Sequence, residues 1–298
     1  MPPNTNALLL RALSAEADFL SCDAAKREFP VLLRPIAERR RVTSVEFRPL
    51  LVDAMLTTHQ EGFRIIFNTN GDPASNLQYL FESENSERLL PSRLRFSLAH
   101  EIAHTFFYDL SEGAPIVAKR FRAGGGRDEL QKLERNCNRL AAHLLLPSPM
   151  VKAALKKMKA ISPDCLLELA DEAGVSIEVL VRRLSDQSTL LDDPYFRGCI
   201  VLVKQKDNDP IIVCVARPSR LNIASDLLRL RPGEKWQISS SNGTVITPET
   251  LEPTSQICLT VETPQSASRR LYRVAAERIP RFDSASSFLA TFEEIENR

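Results

Sequence analysis

Arg95-Phe96-Ser97-Leu98-Ala99-His100-Glu101-Ile102-Ala103-His104 decides how this chain is read. Its last five residues are His-Glu-x-x-His inside a stretch of helical character, which the spacing extends from Arg95 to Tyr108. At roughly 100° per residue, histidines four apart sit about 40° from one another, so both imidazoles share one helix face. Two ring nitrogens on one face can reach a single metal ion at about 2.0–2.1 Å. Glu101 stands between them, where it can act on water rather than bind the metal.

A hydrolytic metal site needs a third protein ligand and one open position. The second helical stretch, about Asp128 to Leu146 and stopped by Pro147 and Pro149, offers Glu134 and His143. Nine residues apart, they lie on opposite faces, so only one can point at the metal. Glu134 shares its face with Cys137, Asn138 and Ala141, small enough for close packing against the first helix. Spacing alone leaves both candidates open.

Composition sets the outer limits. The chain has 298 residues, room for about two domains or three small ones. Lys plus Arg number 39 against 38 Asp plus Glu, a net charge of +1. That balance argues against capture of nucleic acid or anionic membrane by the whole chain. The longest apolar run, Ile211 to Ala216, is six residues, far short of the ~20 that span a bilayer. Met1 to Leu13 lacks the apolar segment of a signal peptide, so a cytoplasmic location is expected. Six scattered cysteines without a Cys-x-x-Cys pair read as buried free thiols.

Along the chain, residues 6 to 57 read as largely helical, with Leu9, Leu13 and Leu20 on one face and Arg39-Arg40-Arg41 as a solvated helix end. Gly62 to Asn68 reads as a strand, either a core strand or a sheet edge open to an extended substrate. Gly124-Gly125-Gly126 marks a loop. Leu166, Leu167, Leu169 and Ala170 give a helix that Gly174 ends, and Ser176 starts another through Leu184. After residue 190 strands dominate: Cys199–Val203, Ile211–Val215, Gln256–Val261 and Arg270–Val274, with helices expected near Leu221–Leu230 and Ser286–Glu296.

The segment from Arg95 to His104 resembles the zinc helix of the ImmA/IrrE family of metallopeptidases. Glu134-Arg-Asn-Cys137-Asn138-Arg-Leu140-Ala141-Ala142 with Leu144-Leu145-Leu146-Pro147 resembles that family's second signature, although Cys137 and Leu140 stand where Ala and Phe are usual. The following Leu169-Ala170…Gly174-Val175-Ser176…Arg183-Leu184 also matches, so the resemblance covers about residues 30 to 187. It implies an α+β fold: a zincin-like peptidase domain at 1–150, a helix-turn-helix-like segment at 151–190, and a C-terminal α/β, GAF-like sensor domain at 191–298. It implies His100, His104 and Glu134 as ligands of one divalent metal, zinc first with manganese as the alternative, and Glu101 as the catalytic base. Tyr108, four residues after His104, could assist the oxyanion, with packing as its plainer role. The implied activity is gluzincin-like cleavage of a helix-turn-helix repressor in a stress response of the DNA-damage type.

The main rival is a DNA-binding or ligand-sensing regulator with a structural metal. Charge speaks against the DNA-binding form: residues 161 to 187 carry six acidic side chains against Arg182 and Arg183, a net of −4. A helix so charged repels phosphates. Lys152, Lys156, Lys157 and Lys159 lie on a different helix. His59 has no evident partner.

Overall fold

The computed structural model describes residues 5–25, 28–59, 62–69, 87–110, 117–118, 127–158, 161–187, 190–191, 198–206, 209–218, 231–233, 235, 238–239, 245–246, 255–263, 266–279 and 287–294. The expected helix near Leu221–Leu230 and the triple-glycine loop lie outside these residues. The chain is mixed α+β and divides into two compact units, Met1–Val151 with Asp171–Ser176, and Lys152–Ala170 with Ile177–Arg298.

In the first unit, helix α1 (Thr5–Ala24) buries Leu13, Ala17 and Ser21, a stripe at four-residue spacing. Helix α2 (Arg34–Arg39) follows, and the chain then turns through Arg41, whose φ of 58° lies in the left-handed region. The expectation of helix up to residue 57 fails there. Val42–Arg48 is strand β1 and Ala54–His59 is strand β2, both paired to β3 (Gly62–Asn68). The order is β1-β3-β2, with β1 parallel and β2 antiparallel to β3. β3 is therefore central, not an edge. Phe63, Ile65, Ile66 and Phe67 are all buried, as befits a strand covered on both faces. Gly62 is required by close approach: a Cβ there would stand 2.4 Å from the Arg41 carbonyl oxygen.

Asn68 fixes the crossover between β1 and β2. Its side-chain oxygen accepts the Leu50 N–H at 2.9 Å, and its own N–H donates to the Asp53 carbonyl at 2.9 Å. Helix α3 (Ser92–Thr105) then packs on β2 and β3, and helix α4 (Arg127–Leu145) packs on both α3 and α1. α3 is shorter than its pattern suggested. It stops at Thr105, and Tyr108 belongs to the short strand β4 (Tyr108–Asp109), paired with β5 (Val117–Ala118).

Arg40 is not solvated. It donates from Nε to Thr105 Oγ1 at 3.1 Å and from Nη2 to the Thr105 carbonyl at 2.7 Å, and lies 4.3 Å over the Phe106 ring. It also pairs with Glu16 of α1, so one cation closes the C-terminus of α3, where carbonyls lack helical partners.

A second buried cation holds the other end of α3. Arg95, wholly buried, donates to the carbonyls of Val31 at 2.8 Å and Glu87 at 3.2 Å. The buried Glu87 carboxylate accepts the N–H groups of Leu33 and Arg34 at the start of α2. Burial pushes the Glu87 carboxyl above its ordinary value and the Arg95 guanidinium below its own, and each charge opposes the other's shift. Gly174 closes over this pair with φ at 64°, where a Cβ would meet Arg95 Nε at 2.9 Å.

In the second unit, helices α6 (Pro163–Glu172) and α7 (Ile177–Asp186) follow α5 (Ser148–Lys157). α7 packs Leu180, Val181 and Leu184 inward, against strands β6 (Gly198–Lys206) and β7 (Asp209–Ala216). Those two join β10 (Ser255–Thr263), β11 (Ser266–Ile279) and β12 (Ser287–Glu294) in an antiparallel sheet of order β10-β11-β12-β6-β7. A short pair, β8 (Ile238–Ser239) and β9 (Val245–Ile246), stands apart. The helix expected near Ser286–Glu296 is the strand β12. Leu289, Ala290, Thr291 and Phe292 are all buried between β11 and β6, and so short an apolar run carries no period that separates strand from helix. Cys22, Cys137, Cys165, Cys199 and Cys214 are free thiols as expected, but only Cys137, Cys199 and Cys214 are buried, Cys22 and Cys165 being half-buried.

Replacing Arg95 by Met should lower unfolding free energy by about 2–5 kcal/mol, because the buried carbonyls of Val31 and Glu87 would lose their donor and the Glu87 carboxylate one of its two neighbouring cations. Urea unfolding monitored by circular dichroism measures this, and an unchanged midpoint would contradict it.

Candidate metal centre

Helix α3 presents His100, Glu101 and His104 because its apolar stripe is committed elsewhere. Leu98, Ala99, Ile102 and Ala103 are buried, which turns the two histidines towards α4. Their Nε2 atoms lie 3.1 Å apart, with the rings edge-to-face at 4.8 Å between centroids. Glu134 of α4 completes the group. Its carboxylate is 3.1 Å from His100 Nε2 and 3.6 Å from His104 Nε2. His100, Glu101 and His104 also bring one ligand atom each within 4.8 Å of one another.

Both remaining ring nitrogens are engaged by the next turn of α4. His100 Nδ1 lies 2.9 Å from Asn138 Oδ1, and His104 Nδ1 lies 3.4 Å from Cys137 Sγ. With protons on Nδ1, the two Nε2 lone pairs and a carboxylate face one point. That arrangement is repulsive without a cation between them. Ligands about 2.05 Å from a tetrahedral ion stand roughly 3.3 Å apart, close to the 3.1 Å between the two Nε2 atoms. The donor set therefore fits a divalent metal, and two imidazoles with a carboxylate suit zinc and several of its neighbours.

Glu101 is 6% exposed and accepts the N–H of Leu56 on β2. Burial pushes its carboxyl up to about 7, opposed by that hydrogen bond and reinforced by Glu134. The same burial, with the neighbouring His100, holds His104 down at about 4 against the pull of Glu134, so its ring is neutral near pH 7. Desolvation raises the Cys137 thiol well above its usual range, with Glu134 and Glu101 adding to the shift. Cys137 is a neutral thiol here.

These groups stand in a cleft of ≈ 650 Å³ with Val52, Met55 and Leu56 on one side and Phe96, Tyr108 and Glu134 among its other walls. Such a volume suits a bound segment or small ligand. Tyr108 reaches the cleft from β4 and packs edge-on against Phe63 at 5.0 Å, which makes it both wall and packing residue. His143 is remote from this group, as helix phase required: its Nδ1 is 2.9 Å from Asp18 of α1. His59 does have a partner, Arg64 Nη2 at 2.8 Å. Sequence reading missed Leu56, since nothing local marks a strand N–H as the partner of a carboxylate 45 residues later. Asn138 and Cys137 were visible as face-mates of Glu134, but their pairing with the histidines was not.

No curated protein matches the chain. Among solved structures it is similar to a Mycobacterium tuberculosis transcriptional regulator, 12% identical with a TM-score of 0.48, over 95% of this chain and 76% of that one. Residues 85–185 match the model of the peptidase M78 family, described as an IrrE N-terminal-like domain. Both the His-Glu-x-x-His helix and the Glu134 helix fall inside the matched segment, which spans about a third of the chain.

Proposed function

We propose that this protein is a metal-dependent endopeptidase in which His100, His104 and Glu134 hold one divalent cation, zinc by preference and manganese as the alternative. One observation carries the reading: two histidine Nε2 atoms and a carboxylate converge beside the buried Glu101, at the wall of an open cleft. When bound, the cation supplies Lewis acidity, polarising a scissile carbonyl and acidifying water. Glu101 accepts the proton of the attacking water. As the C–N bond breaks, Glu101 delivers that proton to the departing amine nitrogen. Its hydrogen bond from Leu56 holds the carboxyl in place for both transfers.

An extended substrate would add to β2, whose outer edge borders the cleft. Leu56 donates to Glu101 rather than to β3, and strand alternation turns the backbone of Ala54 and Thr58 outward with it. The family resemblance suggests a helix-turn-helix repressor as the protein cut, in a cytoplasmic stress response of the DNA-damage type. In this reading residues 1–150 supply the peptidase, 151–190 the helical pair and 191–298 a GAF-like sensor. The described residues include no helix long and apolar enough to cross a membrane.

The rival, direct DNA binding by the helical pair, is disfavoured by the placement of its cations. Arg183 is buried and bonded to Gln187, and Arg182 is paired with Glu178 at 2.9 Å. Neither is presented to a phosphate.

Two outcomes test the proposal. Glu101→Gln should keep its metal by elemental analysis and lose cleavage of a repressor by about 10²–10⁴-fold; undiminished cleavage refutes the role of Glu101. Zinc at a hundred times its Kd should stabilise the wild-type fold by about 2.7 kcal/mol, seen as a rise in Tm. His104→Ala should abolish that rise, and a structural metal elsewhere would leave it intact.

A further inference from the structure

Counting from Glu134, Cys137 and Asn138 are the third and fourth residues on, so at about 100° per residue they fall roughly 60° to one side of it and 40° to the other. Each meets a different histidine of α3, and each meets the ring nitrogen that faces away from the metal position: Asn138 Oδ1 at 2.9 Å from His100 Nδ1, Cys137 Sγ at 3.4 Å from His104 Nδ1. Asn138 is exposed, while Cys137 is wholly buried among the close-packed side chains between the helices. No carboxylate fills either place, although carboxylates and carbonyls are the common outer partners of metal-binding histidines.

We propose that Cys137 and Asn138 are the positioning residues of this centre, fixing both histidines as the Nδ1–H tautomer so that both Nε2 lone pairs face the metal. This inference rests on the metal assignment made above. Asn138 does so with an amide oxygen, a strong acceptor. Cys137 does so with sulfur, a weak and diffuse acceptor. His104 is thereby the less firmly oriented ligand of the pair, and its hold on the metal depends on a thiol that no solvent reaches. The arrangement also couples three functions to one rigid element: a single turn of α4 carries the third ligand and the supports of the other two.

Zinc affinity of the full chain, measured by competition with a chromophoric chelator, tests this without reference to peptidase activity. Cys137→Ala and Asn138→Ala should each weaken zinc binding by about 10–100-fold, the usual cost of losing an outer-shell partner. Cys137→Ser, which restores an acceptor of similar size, should recover affinity to within a few-fold of wild type. In zinc-loaded protein with 15N-labelled histidine, the His100 and His104 rings should both show Nδ1–H and metal-bound Nε2. In Cys137→Ala only the His104 signal should broaden or shift. Unchanged affinity in both alanine variants, or a wild-type His104 ring protonated on Nε2, overturns the positioning role while leaving the metal assignment intact. A wild-type chain that takes up no zinc or manganese overturns the metal assignment and this inference with it. Loss of affinity in Cys137→Ala that serine does not recover assigns the residue to packing and also overturns the proposal.

Discussion

Close approach of α3 and α4 is the constraint on which the rest of the first unit depends. Cys137, wholly buried on α4, meets the His104 ring of α3 and is too small to hold the backbones apart. Only at that separation does the carboxylate of Glu134 arrive 3.1 Å from His100 while the residues one turn later still meet the backs of both rings. A bulkier side chain at Cys137 would move ligand and supports together. The convergence of two imidazoles and a carboxylate is thus a consequence of interior packing, in a region where a single methylene is felt.

Buried charge is placed at both ends of α3. Arg40 satisfies the carbonyl of Thr105 at one end, and Arg95 answers Val31, Glu87 and the start of α2 at the other. Glu101 sits between them with neither cation as its partner. Its nearest support is a neutral backbone N–H. A carboxylate so placed is poorly solvated and poorly neutralised, which is the environment that brings a proton acceptor into the neutral range.

The helices of the site were legible from sequence because their residues carry strong local rules. The 3.6-residue period, the four-residue His spacing and the terminating Pro147 fixed α3 and α4 to within a few residues. Helix phase separated Glu134 from His143, and His143 indeed meets Asp18 on α1. The strands were less legible. β1 and β2 read as helix because their pattern is weak and their state is set by β3, which they flank. β12 read as helix for the same reason, its apolar run being buried on both sides by partners distant in sequence. Arg40 looked like a solvated cation because no local signal places Thr105 and Phe106 beside it. What escaped sequence reading was in each case a partner far along the chain.

Gly174 gives the molecule an unusual parentage of parts. The turn Asp171–Ser176 belongs with the first compact unit, whereas the helical stretches on either side of it belong with the second. A fragment ending at Val151 would have all the side chains at the metal position and none of the roof over Arg95. The stretch that matches the M78 model runs to residue 185 and so takes in this turn as well as both helices of the candidate site.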